Sequence, residues 1–147
     1  MNSFVLVAGF LASASAFAAP PTDSCHFYLE RESVSQCGKQ GYYLDFGYKL
    51  CSAYTRQALP ALSPAGRDWF DQTRECLIRE MRRVPSNLSC KKVPSVALQH
   101  HVSCYEETRY CNLSLYDRLV MGRAIASQSR DRGEFLGFLL FNARCAY

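Results

Sequence analysis

Eight cysteines constrain the fold of this chain more than any other feature. They lie at Cys25, Cys37, Cys51, Cys76, Cys90, Cys104, Cys111 and Cys145. An even number of cysteines spread along a chain with an export signal predicts that all of them form disulfides. There is no Cys-x-x-Cys pair, which would indicate a zinc site or thiol redox chemistry. Roughly a hundred pairings are open to eight cysteines, so the residues alone leave the connectivity undecided.

The N-terminus has the pattern of a signal peptide. Residues 4–11 are apolar, and Ala16-Phe17-Ala18 gives the small-x-small pattern that signal peptidase recognises. A stretch of about 15 apolar residues is too short for a bilayer, which needs about 20, and no stop-transfer charges follow it. We therefore expect residues 1–18 to be removed and residues 19–147 to form a single secreted domain without a membrane span.

The charge of the chain is modestly positive. Its formal net charge is +4, which favours solubility and is well below what is typical of nucleic-acid-binding domains. We therefore expect no nucleic-acid partner.

The clearest helix is predicted after Ser63. Ser63 is a good N-cap, Pro64 suits the first helical position, and Pro85 ends the pattern. Its apolar face consists of Trp69, Phe70, Thr73, Cys76, Leu77, Met81 and Val84. Its other face carries Arg67, Arg74, Arg79, Arg82 and Arg83. Because charged side chains are mostly solvated, we interpret this face as ordinary surface, with an acidic or glycosaminoglycan partner as the alternative.

The segments before this helix also have helical spacing. A first helix is predicted from Ser24, with Gly38 placed to end it in a left-handed cap. A second follows from Leu44 to Pro60, where proline stops the three- and four-residue spacing. A strand near residues 42–43 is the alternative for the start of this second segment.

Three more helices are predicted after Pro85. One begins at Pro94 and breaks at Thr108 and Arg109. A capping box, Ser114 with Asp117, opens the next. Asp131 with Glu134 repeats that signal before the apolar run Phe135, Leu136, Phe138, Leu139 and Leu140, which should dock into the core and be tied down by Cys145. The expected fold is an all-α, compact, disulfide-stapled bundle of about five or six helices.

One short segment suggests catalysis. His101-Val102-Ser103-Cys104-Tyr105 resembles the His-Asp-x-Cys-Tyr helix of secreted phospholipases A2, in which the histidine activates water and the neighbouring carboxylate binds calcium. Val102 replaces that carboxylate, and no glycine-rich calcium loop precedes the segment. Without the metal the reaction lacks its main electrostatic stabilisation, so we predict no catalytic residue and no enzyme activity.

The histidines and two sequons are further candidate sites. His26, His100 and His101 lack an accompanying carboxylate or thiolate cluster, so we predict no metal site and no cofactor. Asn87-Leu88-Ser89 and Asn112-Leu113-Ser114 are N-glycosylation acceptors in an exported chain. We expect Asn87 to be the more usable, because Ser114 is also the predicted cap of a helix.

The run Cys90-x13-Cys104-Tyr105-x5-Cys111 resembles the stanniocalcin family of secreted glycoprotein hormones. Gly66 leading into Thr73-Arg74-Glu75-Cys76-Leu77 is similar to that family's Gly, polar helix and Cys-Ile, and the segment from Asp45 to Cys51 is similar to its preceding cysteine segment. The resemblance covers about Cys51 to Cys145. Cysteine spacing is informative because a few inserted residues would misplace a bridge.

This resemblance implies a disulfide pattern. Carried over by order, it pairs Cys76 with Cys104 and Cys111 with Cys145. The four remaining cysteines would then pair as Cys25 with Cys51 and Cys37 with Cys90, although the N-terminal spacing departs from the family. Family members have a further cysteine that links two chains, and this chain has none after Cys145. We therefore do not expect a covalent dimer, and a non-covalent one stays open.

The resemblance also implies a function. We expect a secreted, hormone-like regulatory glycoprotein that binds an extracellular receptor or another secreted protein, with calcium and phosphate balance as the family's process. The alternatives are a degenerate phospholipase A2-like protein and a structural or toxin-like secreted protein on the same scaffold.

Overall fold

The computed structural model describes residues 24–128, 138–139 and 141–145. Within these ranges the chain contains no strand, and its α-helices are α1 (His26–Ser35), α2 (Lys49–Ala53), α3 (Pro64–Arg83), α4 (Val93–Glu107) and α5 (Leu115–Gln128). The predicted all-α fold is confirmed. The signal peptide, its cleavage site near Ala19 and the predicted start of the last helix at Asp131 and Glu134 lie outside the described residues. None of the helices in the described ranges is both long and apolar enough to cross a bilayer.

The second predicted helix has an unusual internal structure. It begins as a π-helix at Tyr43–Tyr48, continues as α2, returns to a π-helix at Tyr54–Ala58 and tightens into a 3₁₀ turn at Leu59–Ala61. The alternative of a strand at residues 42–43 is therefore wrong. Pro60 does not stop the helix at its own position, since it lies inside the 3₁₀ turn, and the chain becomes extended at Leu62.

The predicted helix caps were right in most places. The Ser63 hydroxyl accepts a hydrogen bond from the Gly66 N–H at 3.1 Å, with Pro64 in the first turn of α3. The cap of α1 is a correction: the left-handed residue is Gln36, with φ 51°, because its N–H bonds to the Glu32 carbonyl and closes the last turn there. Gly38 also has a positive φ, but it lies two residues after this cap.

Four disulfides connect the helices. Cys25–Cys51 joins the start of α1 to α2, Cys37–Cys90 joins the loop after α1 to the loop between α3 and α4, Cys76–Cys104 joins α3 to α4, and Cys111–Cys145 holds the C-terminal segment. These are the same four pairs that the resemblance implies. All eight cysteines of the chain are used in them.

A buried carboxylate joins the starts of α3 and α5. Asp117 is 1% exposed, and it accepts hydrogen bonds from the Ser63 N–H at 2.9 Å, the Ser63 hydroxyl at 2.8 Å and the Ser114 hydroxyl at 2.7 Å. The Ser114 hydroxyl in turn accepts from the Asp117 N–H, which confirms the predicted cap of α5. Gly66 is required here, since a Cβ at this position would lie 2.6 Å from Asp117 Oδ1.

The C-terminal segment packs onto the core only in part as predicted: Phe138 packs against it, whereas Leu139 is 47% exposed, and Phe135, Leu136 and Leu140 lie outside the described residues. Residues 138–139 and 141–144 are helical, and Phe141 is buried. The Tyr110 hydroxyl donates a hydrogen bond to Asn142 Oδ1 at 2.9 Å, next to the Cys111–Cys145 bridge. This end of the chain is therefore held both covalently and by packing.

Candidate functional site

A small aromatic cavity lies between α1, the residue 42–54 segment, α3 and α4. Its volume is about 50 Å³, and it is partly open to solvent. Eight of its fourteen lining residues carry aromatic rings: Tyr28, Tyr42, Phe46, Tyr54, Trp69, Phe70, His101 and Tyr105. Concave, mostly apolar sites with a few polar groups are where proteins usually bind small molecules, so this cavity is the leading candidate site in the described part of the chain.

The π-helical turns form one wall of this cavity. Phe46, Gly47 and Tyr54 all belong to them. Gly47 packs directly on the Tyr28 ring, since a Cβ at Gly47 would lie 2.5 Å from Tyr28 Cδ1. The missing side chain therefore lets α1 approach this wall closely. Single π turns within longer helices are frequent at functional sites.

His101 supplies a polar group with a defined role. Its Nδ1 lies 2.7 Å from the Ala97 carbonyl oxygen, and because a carbonyl can only accept, Nδ1 carries the hydrogen. Burial lowers the pKa of His101 from 6.5, so the ring is neutral at neutral pH. Nε2 is then a hydrogen-bond acceptor, and it has no partner among the described residues.

Tyr28, Tyr54 and Tyr105 are also uncharged. Burial raises the pKa of Tyr28 to about 12 and raises those of Tyr54 and Tyr105 well above their ordinary value. The formally charged lining residue is Arg74, whose guanidinium donates to Asp71 at 2.9 Å and lies 5.2 Å from the centre of the Phe70 ring. The cavity therefore has neutral aromatic walls, and its one cation pairs with Asp71 through a terminal nitrogen while its buried Nε has no acceptor among the described residues.

The structure places three residues of the phospholipase-like segment in defined surroundings. His101 lines the cavity, Cys104 is bridged to Cys76, and Tyr105 is buried in the core. The rings nearest to His101 belong to Phe46 and Tyr105, at 6.5 and 6.1 Å between centroids. No carboxylate of the described residues hydrogen-bonds to its imidazole, and these residues contain no group of three or more His, Cys, Asp or Glu that could hold a metal ion. His26, His100 and His101 are not brought together as a ligand set.

The arginine face of α3 is largely engaged within the chain. Arg79 forms two hydrogen bonds to Glu107, at 2.8 and 3.0 Å, and a third to Glu80. Arg83 also pairs with Glu80, and the pKa of that carboxyl is lowered mainly by its hydrogen bond from Arg79. Arg82 lies over the ring of Phe27. These contacts favour the interpretation of this face as ordinary protein surface.

An exposed apolar cluster lies on the first turns of α5. Leu115, Tyr116 and Leu119 are 65%, 59% and 64% exposed. Residues three and four apart on a helix are neighbours, so these side chains form one patch, which we call the α5 patch. The opposite side of α5 is buried through Met121, Ala124 and Ile125. The helix is thus apolar on two faces, only one of which the core uses.

Both predicted glycosylation acceptors are at the surface. Asn87 is exposed in the loop between α3 and α4, and Asn112 is exposed at the end of the 3₁₀ turn Tyr110–Asn112. Ser114 of the second sequon donates its hydroxyl to Asp117, as its predicted role in capping suggested.

Sequence reasoning did not find the cavity. Its walls come from four segments, and no local pattern relates Tyr28 to Trp69 or to His101. The available signal was the density of aromatic residues at 42–48, together with Gly47 among them. No family model, curated protein or solved structure matches the chain.

Proposed function

We propose that this chain is a secreted regulatory glycoprotein of the stanniocalcin-like kind, which acts by binding an extracellular receptor or another secreted protein. The observation that carries the proposal is the α5 patch. Monomeric proteins rarely leave large apolar side chains clustered at the surface, and such clusters commonly mark protein interfaces. Tyrosine is among the residue types that most often supply binding energy at interfaces, and the two leucines add apolar surface that association can bury.

The disulfide frame supports this proposal. Four bridges restrict the relative movement of the helices, so the surface that a partner meets is already ordered before binding. Bridges of this kind are compatible with an exported protein. Because every cysteine is used within the chain, a covalent dimer would require one bridge to open, whereas a non-covalent dimer would not.

The alternatives are less well supported by the site. A degenerate phospholipase would use His101 as its base through the free Nε2, yet no described carboxylate bonds to this ring, no cluster of metal-ligating residues is found in the described part of the chain, and the neighbours of the ring are aromatic. A structural or toxin-like protein on the same scaffold stays as the third candidate, and no contact in the described residues favours it over recognition.

The proposal can be tested by binding to cells of the source organism. Fluorescently labelled secreted protein should bind saturably to a protease-sensitive component of the cell surface. Replacing Leu115 and Leu119 together by lysine should weaken this binding by more than about tenfold, because a charged side chain cannot enter an apolar interface. Leu98→Lys on α4 is the matched control, since Leu98 is also exposed, at 51%, but lies outside the patch.

Two results would contradict the proposal. The first is cell binding that the Leu115 and Leu119 substitutions leave unchanged. The second is calcium-dependent release of fatty acid from phospholipid vesicles that is lost in His101→Ala, which would make the phospholipase-like alternative the better one.

A further inference from the structure

We propose that the aromatic cavity is a binding site for a small uncharged phenol, whose hydroxyl donates a hydrogen bond to His101 Nε2. The proposal concerns a different part of the molecule from the α5 patch and does not depend on receptor binding. Its basis is the shape of the cavity, the composition of its walls and the fixed hydrogen-bonding role of His101.

The walls of the cavity favour a ring over an aliphatic chain. Trp69 and His101 both present their rings edge-on to Tyr105, at 5.4 and 6.1 Å between centroids. Aromatic rings pack well in such arrangements, so a ring whose edge enters the cavity can add a further edge-on contact. A closed cavity of roughly 150 Å³ holds benzene, whereas this one encloses about 50 Å³ and is partly open. A bound ring would therefore place only its hydroxyl-bearing edge inside.

The polar groups define what that edge must carry. His101 Nδ1 is committed to the Ala97 carbonyl, which leaves Nε2 as an acceptor that a donor on the ligand can satisfy. A phenol hydroxyl supplies that donor. Its oxygen can also accept, and the same lining contains a buried indole N–H, Trp69 Nε1, that has no acceptor among the described residues.

Charge excludes an anionic version of the same ring. His101, Tyr28, Tyr54 and Tyr105 are neutral, and a carboxylate carries no hydrogen that it could donate to His101 Nε2. The guanidinium of Arg74 pairs with Asp71 through a terminal nitrogen, and its buried Nε has no acceptor among the described residues, so a carboxylate buried here would have to share its counter-charge with Asp71 while losing its hydration. The ligand class is therefore a neutral phenol and not an aromatic acid.

The test uses the intact secreted protein with its bridges formed. Trp69 is the only tryptophan of the chain, so its fluorescence, excited at the red edge where phenols do not absorb, reports on the cavity directly. The probes are p-cresol, toluene and 4-methylbenzoate. We expect saturable binding of p-cresol, about three- to tenfold weaker binding of toluene, as for the loss of one hydrogen bond, and no saturable response to 4-methylbenzoate.

Two histidine variants separate the site from general effects. His101→Phe should bind p-cresol and toluene equally, because the ring is kept and the acceptor is removed. His100→Phe, the matched control one residue away, should keep the preference for p-cresol. In case His101→Phe does not fold, the ¹⁵N resonance of His101 Nε2 in the unmodified protein provides a second measurement, and it should shift when p-cresol binds.

The proposal would be overturned by the absence of saturable p-cresol binding, by equal affinity for p-cresol and toluene, or by an unchanged preference in a folded His101→Phe variant. An Nε2 resonance that p-cresol does not move would also overturn it. Tighter binding of N-acetyl-tyrosinamide than of p-cresol would overturn the assignment to a free small molecule, because it would indicate that the cavity receives a tyrosine side chain of a partner.

Discussion

The interaction of Asp117 with the starts of two helices gives the sharpest stability prediction. Replacing Asp117 by alanine removes the acceptor of three hydrogen bonds, at 2.7, 2.8 and 2.9 Å, in a site where the carboxylate is 1% exposed. Hydrogen bonds to charged groups contribute about 1.5 to 3 kcal/mol each, but the bonds share one acceptor and are not additive. The burial of the carboxylate costs part of this gain. We expect a loss of about 3 kcal/mol in the free energy of unfolding.

The assay is urea unfolding followed by far-UV circular dichroism, with the disulfides intact. Asp117→Asn should lose less free energy of unfolding, about 1 to 2 kcal/mol. The asparagine side chain keeps one acceptor oxygen, but its NH₂ group would point at hydrogen-bond donors. Glu75→Ala is the control: Glu75 is exposed on α3, and surface substitutions usually change stability by less than about 0.5 kcal/mol. A loss below about 1 kcal/mol in Asp117→Ala would refute the view that this carboxylate holds α3 and α5 together.

The pH dependence of the same group has a defined sign. Burial alone would raise the pKa of Asp117, but hydrogen bonds from Ser114 and Ser63 lower it below the ordinary value of 3.8. Since the folded-state pKa is below that of the unfolded chain, the stabilisation is fully present above about pH 4 and is lost as the pH falls through the folded-state pKa. The unmodified protein should therefore lose more stability than Asp117→Asn between about pH 4 and pH 2. Parallel acid-unfolding curves for the two proteins would contradict this assignment.

Three further predictions concern the bridges, the cavity wall and the sequons. Replacing Cys76 and Cys104 together by alanine should lower the free energy of unfolding in urea by about 3 kcal/mol, because this bridge joins cysteines 28 residues apart. A loss near zero would indicate that the bridge is not formed. Gly47→Ala places a Cβ 2.5 Å from Tyr28 Cδ1, so it should lower the free energy of unfolding by about 1 to 3 kcal/mol in the same assay. An unchanged urea midpoint would contradict this close packing. Asn87→Gln should reduce the mass of the protein secreted from eukaryotic cells by one glycan, and Asn112→Gln tests the second sequon in the same way; masses that neither substitution changes would show that these acceptors are unused.

The parts of the fold that depend on neighbouring residues were predictable. Ser63 with Pro64 and Ser114 with Asp117 act within one helical turn, so their cap signals could be identified directly from the sequence. The C-terminal cap of α1 was harder to predict, because Gln36 and Gly38 both have a positive φ in the structure. The cap is Gln36, since its N–H bonds to the Glu32 carbonyl. The π-helical turns were not foreseen either, since apolar spacing does not distinguish them from an α-helix with one extra residue.

Features that join distant segments could not be predicted from these signals. The bond between Asp117 and Ser63 spans 54 residues, and nothing near Asp117 indicates that its carboxylate bonds to the N-cap of α3 as well as to Ser114 at the start of its own helix. The same holds for the cavity, whose rings come from four segments. His101 was noted for its sequence context as a candidate base, whereas its observed role as a neutral acceptor depends on Ala97 and on the rings of Phe46 and Tyr105.

The disulfides and the aromatic cavity are structurally linked. Cys51 lines the cavity, and its bridge to Cys25 holds α1, with Tyr28, against the π-helical wall. On the other side, the Cys76–Cys104 bridge clamps α3 to α4 between the lining residues of both helices. Two of the four bridges therefore fix opposite walls. A cavity in a small helical protein would ordinarily be lost by collapse of the surrounding helices, since unfilled space costs packing energy. Here the covalent frame limits that collapse, because movement of either wall would have to distort a bridge.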